Sequence, residues 1–164
     1  MTVEETALRA VLRPHPSGVA ALTAQGPDGP AGVTITSFAS LSTRPALVSF
    51  ALADSSSTWA QVGDAEWFGI QLLGAHQTEL AERFAKRGAD RFAPPTGWHR
   101  GPHGVPLLDG CLGWLVCAPR HRQRVGDHHL VVASVEHVRE GEPGDGLVHH
   151  HGRLHPVTSS IARI

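Results

Sequence analysis

Two long strand-forming runs, Leu112 to Val125 and His129 to Arg139, meet at Gly126-Asp127. A Gly-Asp pair between two such runs reads as a tight hairpin turn, so the chain is committed to a long antiparallel pair. Along the second run, Leu130 and Val132 alternate with Val131, Ala133 and Val135. Both faces are apolar, and an antiparallel strand of that kind needs covering layers on each side. Pro119 predicts a bulge or an edge in the first run, because it cannot donate to the ladder.

The rest of the chain repeats the pattern on a smaller scale. Val19 to Ala24 and Gly32 to Ile35 flank the turn cluster Gly26-Pro27-Asp28-Gly29-Pro30 and predict a second hairpin. Further strands are expected over Ala46 to Leu52, opened by Pro45, over Glu66 to Leu73 and over Leu147 to His151. Glu4 to Arg13 carries Ala7, Leu8, Val11 and Leu12 on one side and predicts a short helix stopped by Pro14 and Pro16. A clearer helix is expected from His76 to Lys86, with Leu80, Ala81 and Phe84 as its apolar side and Gly88 after it. Ser57 to Val62 predicts one short helical turn capped by Ser55 or Ser56. Ala93 to Gly104 reads as a loop. Six or seven strands with so few crossover helices exclude a doubly wound parallel sheet. A mainly antiparallel β-barrel with helices packed outside is the expected fold, and 164 residues make it one domain spanning 1–164.

The net charge of −1 supplies no basic field for nucleic acid or acidic lipid. No run of 18 apolar residues predicts a membrane span, and the acidic start Met1-Thr2-Val3-Glu4-Glu5-Thr6 has no apolar core of a secretory signal. Cys111 and Cys117 fall on one expected strand, roughly 20 Å apart along it, which excludes a mutual bridge. A reduced, cytoplasmic protein is the expectation. Twelve histidines suggest metal at first sight. In the densest group only His149 and His151 share a strand face, so no native metal site is expected there.

The candidate chemistry lies in two hydroxyl-rich segments. Thr34, Thr36, Ser37, Ser40 and Ser42 occupy the first, and Ser55, Ser56, Ser57 and Thr58 the second. Neither has the glycine spacing of a Walker A loop or a dinucleotide fingerprint. A phosphate would be met here by hydroxyls and by main-chain N–H groups at a helix start.

Taken together, Pro16-Ser17-Gly18-Val19, Gly32 to Phe38, Ser55 to Trp59, Phe84 to Phe92, Gly126-Asp127-His128 and His151-Gly152-Arg153 resemble the short-chain flavin reductases. That family has an FMN-binding split β-barrel of Greek-key-like antiparallel strands and includes the reductase components of two-component flavin-dependent monooxygenases. The resemblance implies FMN or FAD as cofactor, NADH or NADPH as co-substrate and a homodimer. It places Thr34, Ile35, Thr36 and Ser37 along the isoalloxazine edge, with Ser40 reaching the same region. Ser55, Ser56, Ser57 and Thr58 hold the phosphate in this reading. Arg87 and Arg91 pair with the pyrophosphate of NAD(P)H or are solvated. His128, unexplained by the turn that precedes it, positions the nicotinamide. Hydride transfer to flavin N5 needs stacking and alignment more than an acid or base.

Two departures bear on this reading. Leu154 follows Gly152-Arg153 where the family often has an aromatic residue, and the phosphate segment has no Lys or Arg. The competing expectation is a non-enzymatic flavin- or haem-binding module on the same barrel.

Overall fold

Gly126, with φ 61°, turns the chain between two thirteen-residue strands that pair from Val125↔His128 back to Gly113↔Glu140. The computed structural model describes residues 3–157; residues 1–2 and 158–164 of the expected domain lie outside it. In chain order the elements are α1 (Glu5–Leu12), β1 (Ser17–Gly18), β2 (Ala20–Gly26), β3 (Gly29–Ile35), β4 (Ala39–Thr43), β5 (Ala46–Ala53), α2 (Ser57–Val62), β6 (Phe68–Leu72), α3 (Thr78–Ala85), β7 (Trp98–Arg100), β8 (Pro106–Leu108), β9 (Gly113–Val125), β10 (His128–Glu140), β11 (Gly146–His150) and β12 (Arg153–Val157). Seven strands form one sheet in the order β3-β2-β6-β9-β10-β5-β4, with every pairing antiparallel. A three-stranded sheet β1-β11-β12 and the ribbon β7-β8 flank it. This is a mainly antiparallel β fold with flanking helices, as the hairpin pattern requires.

The ladder between β9 and β10 slips twice. Val132 faces His121 while Ala133 faces Pro119, so Arg120 is an extra residue beside the proline. Val135 faces Cys117 while His137 faces Val116, so Glu136 is an extra residue on β10. The first bulge is the one Pro119 predicts; the second has no such marker in the chain.

β2 is buried on both faces from Ala20 to Ala24. One face packs with Ile35, Phe50, Phe68, Ile70 and Val131, where Phe50 and Phe68 meet edge-on at 5.2 Å. The other lies under α3, which buries Ala81 and Phe84 with Val19, Leu73 and Leu147. Gly32 permits this: a Cβ there would stand 2.9 Å from both the Leu22 carbonyl and the Phe84 ring.

Several boundaries differ from the expected ones. The helix begins later than His76, because Ala75–Gln77 is a 3₁₀ turn before α3. Gln77 is buried there, accepting from Gly74 N and donating to the Asp109 carbonyl. The expected loop 93–104 contains β7 and a 3₁₀ turn at Pro102–Gly104. Cys111 precedes β9 rather than sharing it with Cys117, and the two thiols sit in different core clusters. Burial pushes Cys111 up to about 11 and Cys117 up to about 12, so both stay protonated and unreactive. α1 is a helix as expected, yet buries none of its residues. Among the described residues no helix is long and apolar enough to cross a membrane.

Candidate active site

The hydroxyls of the phosphate-binding candidate divide into two groups. Ser56 is the N-cap of α2, its Oγ accepting from Trp59 N at 3.3 Å. Ser55 and Ser57, one on each side, are exposed. Thr58 is 1% exposed and turned inward: its Oγ1 donates to the Gly32 carbonyl at 3.2 Å. α2 is six residues long, so its dipole is short, and the outward hydroxyls are the stronger attraction for an anion.

Arg91 explains why Thr58 faces inward. Its NH1 donates to the Gly32 carbonyl at 2.8 Å and to Thr58 Oγ1 at 3.1 Å, while NH2 reaches the Lys86 carbonyl at 3.0 Å. The guanidinium clamps β3, α2 and the chain leaving α3 to one another. Desolvation lowers the Arg91 pKa, and its Nε is buried without a partner. Arg91 is thus committed to three internal acceptors, whereas Arg87 is exposed.

The first hydroxyl segment divides in the same way. Thr34 Oγ1 donates to the Ala81 carbonyl at 2.6 Å and ties β3 to α3. Ile35 is in the core, so only its main chain is offered to a ligand. Ser37 Oγ accepts from Ala51 N at 2.9 Å and donates to the Ala51 carbonyl at 2.8 Å, pinning the β3–β4 connection to β5. Thr36 and Ser40 are exposed, Ser40 opposite Val48 on the edge strand β4. β3 is the other edge of the sheet, so half its main-chain groups point away from β2.

Asp54 joins the hydroxyl segment to the hairpin turn. Its N–H donates to the Asp127 carbonyl at 2.9 Å. Its carboxylate takes Arg124 Nε at 2.8 Å on one oxygen and His129 Nε2 at 2.6 Å on the other. The His129 ring stacks on Trp59 of α2, with centroids 4.3 Å apart and planes at 17°. His128, paired with Ala53 and Val125, bonds through Nδ1 to Asp127 at 2.7 Å, and that bond holds the Asp127 carboxyl below its usual range. None of these partners of Asp54 is evident from the chain: they lie some 70 residues away, and only the position of Asp54 directly before Ser55 hints at a role. Asp54→Asn is expected to lower the melting temperature by a few degrees, since it removes the charge from a carboxylate that holds both Arg124 and His129, worth roughly 1 kcal/mol at a solvent-accessible site. An unchanged melt would show that the turn and α2 are held by other contacts.

A cavity of about 580 Å³ opens between β3, α3 and the turn that follows β11. Thr34 and Thr36, Ala81 and Ala85, and His149 and Leu154 stand around it, with Glu82 and Arg153 at its walls. Its volume is that of a small-molecule site. Of the expected site residues only Thr34 and Thr36 line it; Ile35, Ser37, Ser40, Ser55, Ser56, Ser57, Thr58, Arg87, Arg91 and His128 do not. His149, which the alternation of a strand marks only as facing one side, is brought here by the pairing of β11 with β1 and β12.

Residues 12–158 match the flavin reductase like domain family. The chain belongs to the flavin reductase family. A NADH:FMN oxidoreductase of Rhodococcus qingshengii is 40% identical over 154 residues, covering 92% of this chain and 80% of the relative. The flavin-dependent monooxygenase reductase subunit HsaB of Rhodococcus jostii is 31% identical over 144 residues, covering 86% of this chain and 73% of the relative. The crystal structure of a flavin reductase domain protein from Arthrobacter superposes with a TM-score of 0.90 at 34% identity, covering 98% of this chain and all of the other. Leu154, the residue after Gly152-Arg153, stands on the wall of the cavity beside β3.

Proposed function

We propose that the protein is an NAD(P)H:flavin oxidoreductase that binds FMN on a split barrel, acts in the cytoplasm as a homodimer and passes reduced flavin to a flavin-dependent monooxygenase. The observation that carries the cofactor site is the cavity walled by Thr34 and Thr36, at the end of β3 and the bend that follows, a segment that the family resemblance sets along a flavin edge. The residues fit the group. An edge strand offers main-chain donors and acceptors, Thr36 offers a hydroxyl, and Ser55 and Ser57 offer outward hydroxyls for a phosphate. Exposure of Leu8, Val11 and Leu12 on α1 supports a partner subunit.

When bound, the flavin supplies the hydride acceptor. The chain's own part is to hold and align. Thr34 to Ser37 would hold the isoalloxazine edge, mainly by main chain, because the Thr34 and Ser37 hydroxyls are already bonded internally. His128 would position the nicotinamide. With Nδ1–H donated to Asp127, its Nε2 is left as an acceptor for a carboxamide N–H. His149 and Leu154 line the cavity.

The test is anaerobic mixing of the purified protein, loaded with FMN, with NADH or NADPH. Bleaching of the flavin bands at a rate set by the nicotinamide concentration is expected; a flavin that stays oxidised would overturn the assignment. His128→Ala should cost about tenfold in kcat/KM for the nicotinamide, roughly 1.4 kcal/mol, with flavin affinity unchanged. Loss of 10²–10⁴-fold would instead mark a proton-transfer role.

A further inference from the structure

We propose that His103 and His137 form a two-histidine site for a divalent late transition metal, Cu²⁺ or Zn²⁺, on the face of the sheet carrying Trp67. The two Nε2 atoms stand 3.3 Å apart although the residues are 34 positions apart in the chain. Two imidazole nitrogens bound tetrahedrally to one zinc at about 2.0–2.1 Å are roughly 3.3–3.4 Å from each other. The pair is therefore already at the separation of two ligands on one ion. The ring centroids are 5.3 Å apart with planes at 48°. The contact also meets the geometry of a bent N–H···N hydrogen bond between the rings, which an ion bound to both Nε2 atoms would replace.

Two local devices bring the rings to this position. His103 has φ 56°, the left-handed region that a non-glycine residue rarely occupies, and Gly104 follows at φ 73°. Such a conformation persists only where surrounding structure holds it. Here the His103 ring lies flat on Trp67, with centroids 3.5 Å apart and parallel planes, so its Nε2 edge is directed sideways. His137 follows the extra residue Glu136 on β10, and a bulge of this kind re-aims the next side chain. Glu136 itself is turned away, accepting from Ser134 and Arg120.

Imidazole pairs suit copper, nickel and zinc rather than magnesium or calcium. Among the described residues no third His, Cys, Asp or Glu completes a cluster. Water would fill the other positions, leaving a site open to exogenous ligands. Both histidines are exposed, so an ion enters from solvent. The site is independent of the flavin reading: neither residue lines the cavity beside β3.

Metal-stripped full-length protein should bind one equivalent of Cu²⁺ at this pair. Its paramagnetic resonance should show coupling to two imidazole nitrogens, and the fluorescence of Trp67 should be quenched. Zn²⁺ should compete for the same site. His103→Asn, which tolerates the left-handed backbone, and His137→Gln should each weaken binding by about tenfold or more, with thermal melts in the absence of metal shifted by no more than about 2–4 °C. Trp67→Phe should remove the quenching and leave the stoichiometry intact. If the wild type takes up no Cu²⁺, or binding survives in the His103→Asn/His137→Gln double variant and disappears from a His150→Gln/His151→Gln variant, the assignment is wrong.

Discussion

Phe84→Ala is expected to lower the unfolding free energy by about 3–5 kcal/mol, the range for removing a fully buried phenylalanine ring. Phe84 is 0% exposed and is the side chain that seats α3 on the sheet. Its ring meets Phe92 edge-on at 5.3 Å, and Phe92 meets Trp98 at 5.4 Å, so the truncation removes the end ring of a row of three. The cavity left behind cannot close from below, because the Gly32 main chain is held by Arg91 and Thr58. The same helix presents Ala81 and Ala85 to the proposed flavin cavity. Urea unfolding should therefore show the stability loss, and flavin retention should fall with it even where the variant is folded. A loss below about 1 kcal/mol would mean that α3 is seated by other contacts.

That helix was legible in the chain because its apolar residues recur at helical spacing, and the β9–β10 hairpin because a Gly-Asp turn separates two strand-like runs. Both are local signals. The strands β1, β4, β7, β8 and β12 are two to five residues long. They are strands only because a partner lies beside them: Ser17 pairs with His149 and Trp98 with Leu108. No period can be read from so few residues. The site divides along the same line. Hydroxyl density marks the Ser55–Thr58 segment, yet Ser57 and Thr58 are indistinguishable in the chain and opposite in the fold. Arg91 looks like a solvated cation next to Asp90; its three carbonyl and hydroxyl acceptors come from β3, α2 and Lys86, and only folding assembles them. Asp54 meets Arg124 and His129 because β5 pairs with β10, and His103 meets His137 because the turn Pro102–Gly104 folds against β10; composition encodes neither.

This division of roles makes the phosphate segment separable by mutation. Ser55→Ala with Ser57→Ala removes two outward hydroxyls, each worth roughly 1.5–3 kcal/mol if it donates to a charged phosphate. FMN affinity should fall by about a hundredfold or more, with urea unfolding of the ligand-free protein unchanged, since neither hydroxyl faces the core. Thr58→Val should do the reverse. It keeps the shape of the side chain and removes the hydroxyl that donates to the Gly32 carbonyl and accepts from Arg91 NH1. Stability should drop by about 1–3 kcal/mol, because a buried donor of the Arg91 guanidinium loses one acceptor. FMN affinity of the folded fraction should change little, the remaining Arg91 bonds to Gly32 and Lys86 still holding β3 against α2. Titration of FMN by flavin fluorescence, paired with urea melts, reads both quantities on the same samples. If Thr58→Val costs affinity and the double serine variant does not, the phosphate lies on the inner side of the segment and Arg91 must release an internal acceptor to meet it.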